Sequence, residues 1–347
     1  MLAGTRLAAA LLLALLLGGC TQVGPRALTQ GRPLYNEAVQ RTEAQQLLLN
    51  IVRQRYSDPV LFLDVTSIAS GYAAQANAAW SSRLFESLTE TANGSLSGSL
   101  RESPNIFYAP NTGEKFVRQM LTPLEIETIA LILQAGWSIE RVLLLSGETM
   151  NSLRNSPRAP RAGDPRDGFR TAVQALRDLQ RDGDLAVGTA PGKEGVLALL
   201  VDPGAVGTDA YQTACGLLDI ACDGRPIELQ QALGAASDGE HMSLATRSLF
   251  STLYFLAQAV EVPERDIRAG VTYASSIGAV NRELFRVRSS LDEPSLAAVK
   301  VRYRDAWFYV ADDDLDSKTT FALLSMLVTL QSGDTATMAP LLTLPAQ

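Results

Sequence analysis

Near the carboxyl end, Val299-Lys300-Val301-Arg302-Tyr303 alternates apolar and polar residues, Arg304-Asp305 offers a two-residue turn, and Trp307-Phe308-Tyr309-Val310 returns. A period of two specifies a strand with one buried face, and so short a connection makes the returning strand antiparallel. The arrangement recurs where Leu185–Thr189 and Val196–Val201 flank Pro191-Gly192-Lys193-Glu194-Gly195. Strand-like runs that come in adjacent pairs, rather than alternating singly with helices, argue against a doubly wound parallel sheet. The expected class is α+β, with helices packed on small antiparallel sheets and the body in two halves. No repeat of solenoid period is visible.

Helical spacing fills the ground between these pairs. Ala38, Ala44, Leu47, Leu48, Ile51 and Val52 share a face, Glu37, Arg41 and Glu43 lie off it, and Asp58-Pro59 ends the run, so a helix is expected from Tyr35 to Tyr56. Leu61, Leu63 and Val65 then alternate with Phe62, Asp64 and Thr66, and a second extended stretch punctuated by Gly94 and Gly98 ends in Asn105-Ile106-Phe107-Tyr108. Together they suggest an early sheet. Three helices should follow over 112–121, 122–135 and 138–145, with Thr122-Pro123 as a start and Gly136 as a stop. Residues 154–168 hold three prolines and four arginines and read as an exposed loop between an N-terminal half, 36–153, and a C-terminal half, 169–347. Helices are expected again over 169–181 and 317–330, while 247–260, uncharged after Arg247, too short to span a bilayer and stopped by Pro263, is assigned to the centre of the C-terminal core.

The amino end is not part of this body. Arg6 precedes an apolar run from Leu7 to Leu17, and Gly18-Gly19 precede Cys20, the order of a secretory signal. The run falls well short of the roughly 20 residues that a helix needs to cross a bilayer. Leu17-Gly18-Gly19-Cys20 looks like a bacterial lipobox, which would make 1–19 a signal peptide, Cys20 the acylated mature terminus and 20–35 a tether. Each buried methylene of an acyl chain contributes about 0.8 kcal/mol, and more than one chain holds stably. The expected localisation is the periplasmic face of the outer membrane, since Thr21 stands where an aspartate would signal inner-membrane retention. No cofactor is expected beyond the covalent lipid.

With Cys20 committed to lipid, Cys215 and Cys222 remain as an even pair in an oxidising compartment, so a disulfide is expected. Their spacing is too wide for a redox C-x-x-C, and a chain with one histidine lacks the further ligands zinc would need. A net charge of −7, from 30 basic against 37 acidic residues, offers no footprint for nucleic acid.

Motifs that could carry chemistry are sparse. Asp312, Asp314 and Asp316 imitate the first ligands of a calcium loop, but Ser317 stands where the turn glycine belongs and Leu323 where the bidentate glutamate belongs. Capping of the following helix is the simpler role, with a cation as the alternative. Arg154, Arg158, Arg161 and Arg166 crowd the proline-rich loop and suit an anionic partner such as lipid phosphate or an acidic protein. His241 is alone, no serine lies in G-x-S-x-G, and Gly188 to Glu194 departs from a phosphate loop in glycine spacing and in its last residue. Neither a catalytic set nor a nucleotide partner is expected.

Tyr303-Arg304-Asp305-Ala306-Trp307-Phe308-Tyr309, Asp314-Leu315-Asp316-Ser317-Lys318 and Phe321-Ala322-Leu323-Leu324 resemble a recurring ending in uncharacterised proteobacterial lipoproteins. Gly113-Glu114-Lys115-Phe116-Val117 and Thr246-Arg247-Ser248-Leu249-Phe250 share that resemblance. It implies a lipoprotein and no particular chemistry. The expected function is a non-enzymatic interaction or assembly subunit of a bacterial envelope system, with one or more envelope proteins as partners. Two alternatives stay open: a carboxylate-dependent enzyme on cell-wall or glycan polymers, whose acid and base leave little sequence trace, and a module that binds a lipid or small ligand.

Overall fold

The computed structural model of the protein describes residues 23–81, 93–110, 113–155, 165–232, 238–274 and 283–332. The chain forms two compact units. The smaller, within 61–113, is a ribbon of two strands, β1 (Leu63–Ser81) and β2 (Asn93–Pro110), paired antiparallel from Leu63↔Pro110 to Ser81↔Asn93 with one bulge between Val65 and Ser67. The larger unit takes in the residues before 61 together with 114–332.

The larger unit begins with α1 (Val23–Arg55), which starts well ahead of Tyr35 and occupies the stretch expected to be a tether. Pro33 lies inside it. A proline removes one N–H and crowds one carbonyl, and the many turns on either side carry the element past that defect. Then come α2 (Glu114–Leu121), α3 (Ile126–Gln134) and α4 (Ile139–Ser146), within a residue or a few of their expected bounds. Ser138 caps α4 by accepting the Arg141 N–H.

Beyond α4 the chain runs through β3 (Gly147–Met150), β4 (Leu153–Arg154) and α5 (Pro165–Asp182), then β5 (Leu185–Thr189), β6 (Leu197–Val201) and α6 (Asp209–Leu218). It continues with β7 (Ile227–Gln231), β8 (His241–Thr246), α7 (Leu249–Ala257) and the short α8 (Glu264–Arg268). The last elements are β9 (Arg288–Ser290), β10 (Ala297–Tyr303), β11 (Ala306–Ala311) and α9 (Leu315–Ser332).

Strands β4-β3-β8-β7-β6-β5 form one six-stranded sheet, antiparallel except between β7 and β8, and β10-β11-β9 form a second of three. The class is α+β, as expected. The division into halves at 154–168 is not observed: β3 lies before that segment, β8 after it, and they are hydrogen-bonded neighbours. Cross-strand pairing outweighs the proline-rich composition because buried backbone N–H and C=O groups must find partners, whichever side of a loop supplies them. Arg154 belongs to β4 and Arg166 to the first turn of α5, where Pro165 at the helix start needs no N–H partner.

The core joins these layers. Leu48, Ile51 and Val52 of α1 are buried where it packs on α7 and β10. Phe169, Val173 and Leu176 of α5 are buried in the same unit as Leu143 and Leu145 of α4, helices that pack on each other. Arg304 and Asp305 both take positive φ, 46° and 60°, in the two-residue turn from β10 to β11. That is the left-handed backbone conformation at both positions by which a two-residue turn matches the right-handed twist of its strands, adopted here without a glycine.

Candidate functional site

The carboxylates at the head of α9 diverge instead of converging. Asp314 caps the helix: its Oδ1 accepts the Ser317 N–H at 3.0 Å and its Oδ2 accepts the Ser317 hydroxyl at 2.8 Å. Asp312 pairs with Lys318 at 2.6 Å, and Asp316 with Arg141 of α4 at 2.6 Å. Three carboxylates with three different partners do not form a cation cage, and among the described residues no group of three or more metal-ligating side chains could hold a metal ion.

Cys215 and Cys222, where a disulfide is expected, are free thiols near each other but not at disulfide distance in the structure. The left-handed turn at Asp219 (φ 54°) ends α6 and carries the chain on to Cys222, whose thiol lies near that of Cys215. Burial, reinforced by the neighbouring Cys222 thiol, pushes the Cys215 thiol up to about 12. Disulfide exchange needs a thiolate, and this one is held protonated. Cys20, Arg158 and Arg161 lie outside the described residues. Arg154 is exposed on β4.

His241 has charged company that the sequence conceals. Its Nδ1 is 2.6 Å from Asp238 and its Nε2 3.5 Å from Glu228, whose other oxygen takes Lys193 at 2.5 Å. The parallel register sets Glu228 opposite His241 across β7 and β8, and the turn after β5 delivers Lys193. Asp238 also accepts the backbone N–H groups of Glu240 and His241, which together with the imidazole hold its carboxyl down at about 2. Glu228 is lowered chiefly by its hydrogen bond from Lys193. An imidazole bracketed by two carboxylates differs from a Ser-His-Asp arrangement, where the second nitrogen meets the nucleophile. The row ties β7, β8 and the β5–β6 turn together.

Two further clusters passed unnoticed in the sequence. Arg247, 4% exposed, donates from Nη1 to the carbonyls of Leu144 (3.3 Å), Leu145 (3.1 Å) and Gly147 (2.5 Å) and from Nη2 to that of Asn155 (2.6 Å). Its guanidinium lies 4.0 Å from the Phe255 ring centroid. Burial pulls it down to about 10. It satisfies the last carbonyls of α4, which have no partner within the helix. The second cluster joins the end of α1 to the β10–β11 turn. The Tyr56 hydroxyl donates to buried Asp266 at 2.6 Å, the Tyr303 hydroxyl donates to Asp58, and Arg304 reaches Asp58 at 3.0 Å beneath the Tyr56 ring. Burial first, then the bond to Asp266, drives the Tyr56 hydroxyl well above its ordinary value.

A cleft lined by Ser138, Glu140, Arg141, Arg170, Gln174 and Glu283 lies beside these helices. Its two arginines are engaged, Arg141 with Asp316 and Arg170 with Glu283 at 2.5 Å. Among the described residues, each of these polar clusters joins elements of the larger unit. The ribbon differs: β1 and β2 pair with each other and, among the described residues, with no third strand. A two-stranded ribbon has two outer edges, each with a row of N–H and C=O groups directed away from its partner strand. At about 3.3 Å per residue its 19-residue strand extends roughly 60 Å. Comparison of the chain with protein-family models, with curated proteins and with solved structures finds no match.

Proposed function

We propose that this chain is a non-enzymatic interaction or assembly subunit of a bacterial envelope system, anchored to the periplasmic face of the outer membrane by lipid on Cys20. The observation that carries the reading is the long ribbon whose edges pair with no other described strand. Isolated two-stranded hairpins are marginal in water, and an exposed edge is a template for adding strands from another chain. The lipobox-like Leu17-Gly18-Gly19-Cys20 supports the anchor.

The test has two arms in a Gram-negative host. Metabolic labelling with a palmitate analogue should mark the wild type and not Cys20→Ala, and only the labelled form should sediment with outer membranes. A photo-crosslinking residue at Ser99 of β2 should yield discrete products of higher mass in intact cells. An unlabelled, freely extractable chain would overturn the anchor, and exclusively monomeric products from the ribbon would overturn the assembly role.

A further inference from the structure

The register of the ribbon sorts its residues by polarity. Residues directly opposite in an antiparallel pair share a face, and faces alternate along each strand. One face holds the pairs Ala74↔Leu100, Ala76↔Gly98 and Ala78↔Leu96, and then Trp80↔Gly94. The other holds Gln75↔Ser99, Asn77↔Ser97, Ala79↔Ser95 and Ser81↔Asn93. Over this length neither strand carries a charge. Charge resumes at Arg101 and Glu102, opposite Ala73 and Tyr72, and Pro104, which cannot donate to a ladder, comes just after.

These features match one environment. A strand that crosses a bilayer within a barrel needs about 9–11 residues, with apolar residues toward lipid alternating with polar residues toward the lumen, and aromatic residues at the band's ends. Tyr72 and Trp80 are on the apolar face and bound about nine residues of it, or roughly 26 Å of strand, with Glu102, opposite Tyr72, the one charge on that face and at its very end.

Resting on the assembly reading above, we propose that the ribbon is a membrane-spanning hairpin and that copies of this chain close it into a transmembrane β-barrel. The outer edge of β2 in one copy pairs with the outer edge of β1 in the next, with the apolar face toward the lipid. Each chain supplies an up strand and a down strand, so the neighbouring pair is antiparallel as well. Closure is required because no strand edge can stay unpaired in hydrocarbon. A head-to-tail contact between identical chains forms a ring when its rotation closes. The strand number is then even, two per copy, and a water-filled lumen takes more strands than the eight of the smallest barrels, whose interior side chains fill.

Single cysteines in a Cys222→Ser background test this in the full acylated chain, in outer membranes, with a membrane-impermeant maleimide. Gln75→Cys and Asn77→Cys should label about tenfold faster than Ala76→Cys and Ala78→Cys, because lumen and lipid alternate along a barrel strand. Detergent denaturation should abolish the difference. Ala76→Arg should eliminate an SDS-resistant, heat-labile oligomer that Asn77→Arg retains, while both variants stay membrane-bound through their lipid. Equal labelling of both faces in a membrane-bound chain overturns the barrel and leaves the anchored-subunit reading standing. Shielding of the apolar face in a chain that extracts as a monomer with a different protein also overturns it. A chain absent from the membrane fraction overturns the parent reading instead.

Discussion

Replacing Arg247 with methionine tests whether a buried guanidinium holds the end of α4 in place. Methionine keeps much of the side chain's length while removing the donors and the charge that lies over Phe255. Asn155 still donates to the carbonyls of Leu144 and Gly147, each at 2.8 Å. The carbonyls of Leu145 and Asn155 lose the guanidinium bonds at 3.1 and 2.6 Å. A buried polar group left unsatisfied costs about 1–3 kcal/mol, and a cation over a ring contributes about 1 more, so the gross loss is about 3–7 kcal/mol. Against it stands relief from desolvating a charge for which no carboxylate lies within bonding distance, the same penalty that pulls Arg247 down to about 10. The net expectation is a loss of about 2–4 kcal/mol. Urea unfolding followed by tryptophan fluorescence reads this as a lower midpoint at unchanged slope. The double variant with Asn155→Ala should cost about 1 kcal/mol more than the sum of the single changes, because the two side chains share carbonyls. A loss below about 1 kcal/mol for Arg247→Met, or strict additivity with Asn155→Ala, would refute the reasoning.

Other expectations follow from the same geometry. Asp314→Ala should lower stability by about 1 kcal/mol and Asp314→Ser by less, read by urea unfolding, since either oxygen can cap α9; equal losses would contradict capping. Asp238 has a folded-state pKa of about 2, below its ordinary 3.8, so its contribution is present above pH 3.8 and is lost as pH falls through about 2. The difference in Tm between wild type and Asp238→Asn should therefore shrink as pH falls through that window. Cys222 should react with a maleimide in the folded protein while Cys215, buried and pushed up to about 12, reacts only after unfolding. Two equally fast thiols would show that the end of α6 is open.

Where periodicity and turn chemistry speak together, the sequence is legible. The run from Val299 to Val310 and the pair flanking Pro191-Gly192 became β10–β11 and β5–β6, and α2, α3, α4 and α5 appear close to where their spacing places them. Reading fails where pairing is remote. Gly147–Met150 and His241–Thr246 are short and carry no turn of their own, and each is a strand because the other lies beside it. The halves expected on either side of residue 154 dissolve for that reason. A proline-rich stretch records only what the local chain avoids, whereas a sheet is decided by which distant backbone completes it.

The same distinction governs the sites. Asp314 was legible as a cap because its partner is three residues away, while the partners of Arg247 lie about a hundred residues back in the chain, beyond any spacing rule. Arg247 and the Tyr303-Arg304 pair both join distant elements through hydrogen bonds and ring contacts. The ribbon is the converse case. Its alternation is plain once the register is known, yet the bulge between Val65 and Ser67 shifts the phase, so the early pattern of Leu61, Leu63 and Val65 points to the wrong face for the rest of the strand. Only the pairing of Ala76 with Gly98 and Asn77 with Ser97 separates an apolar face from a polar one, and that separation makes a membrane-facing surface physically sensible.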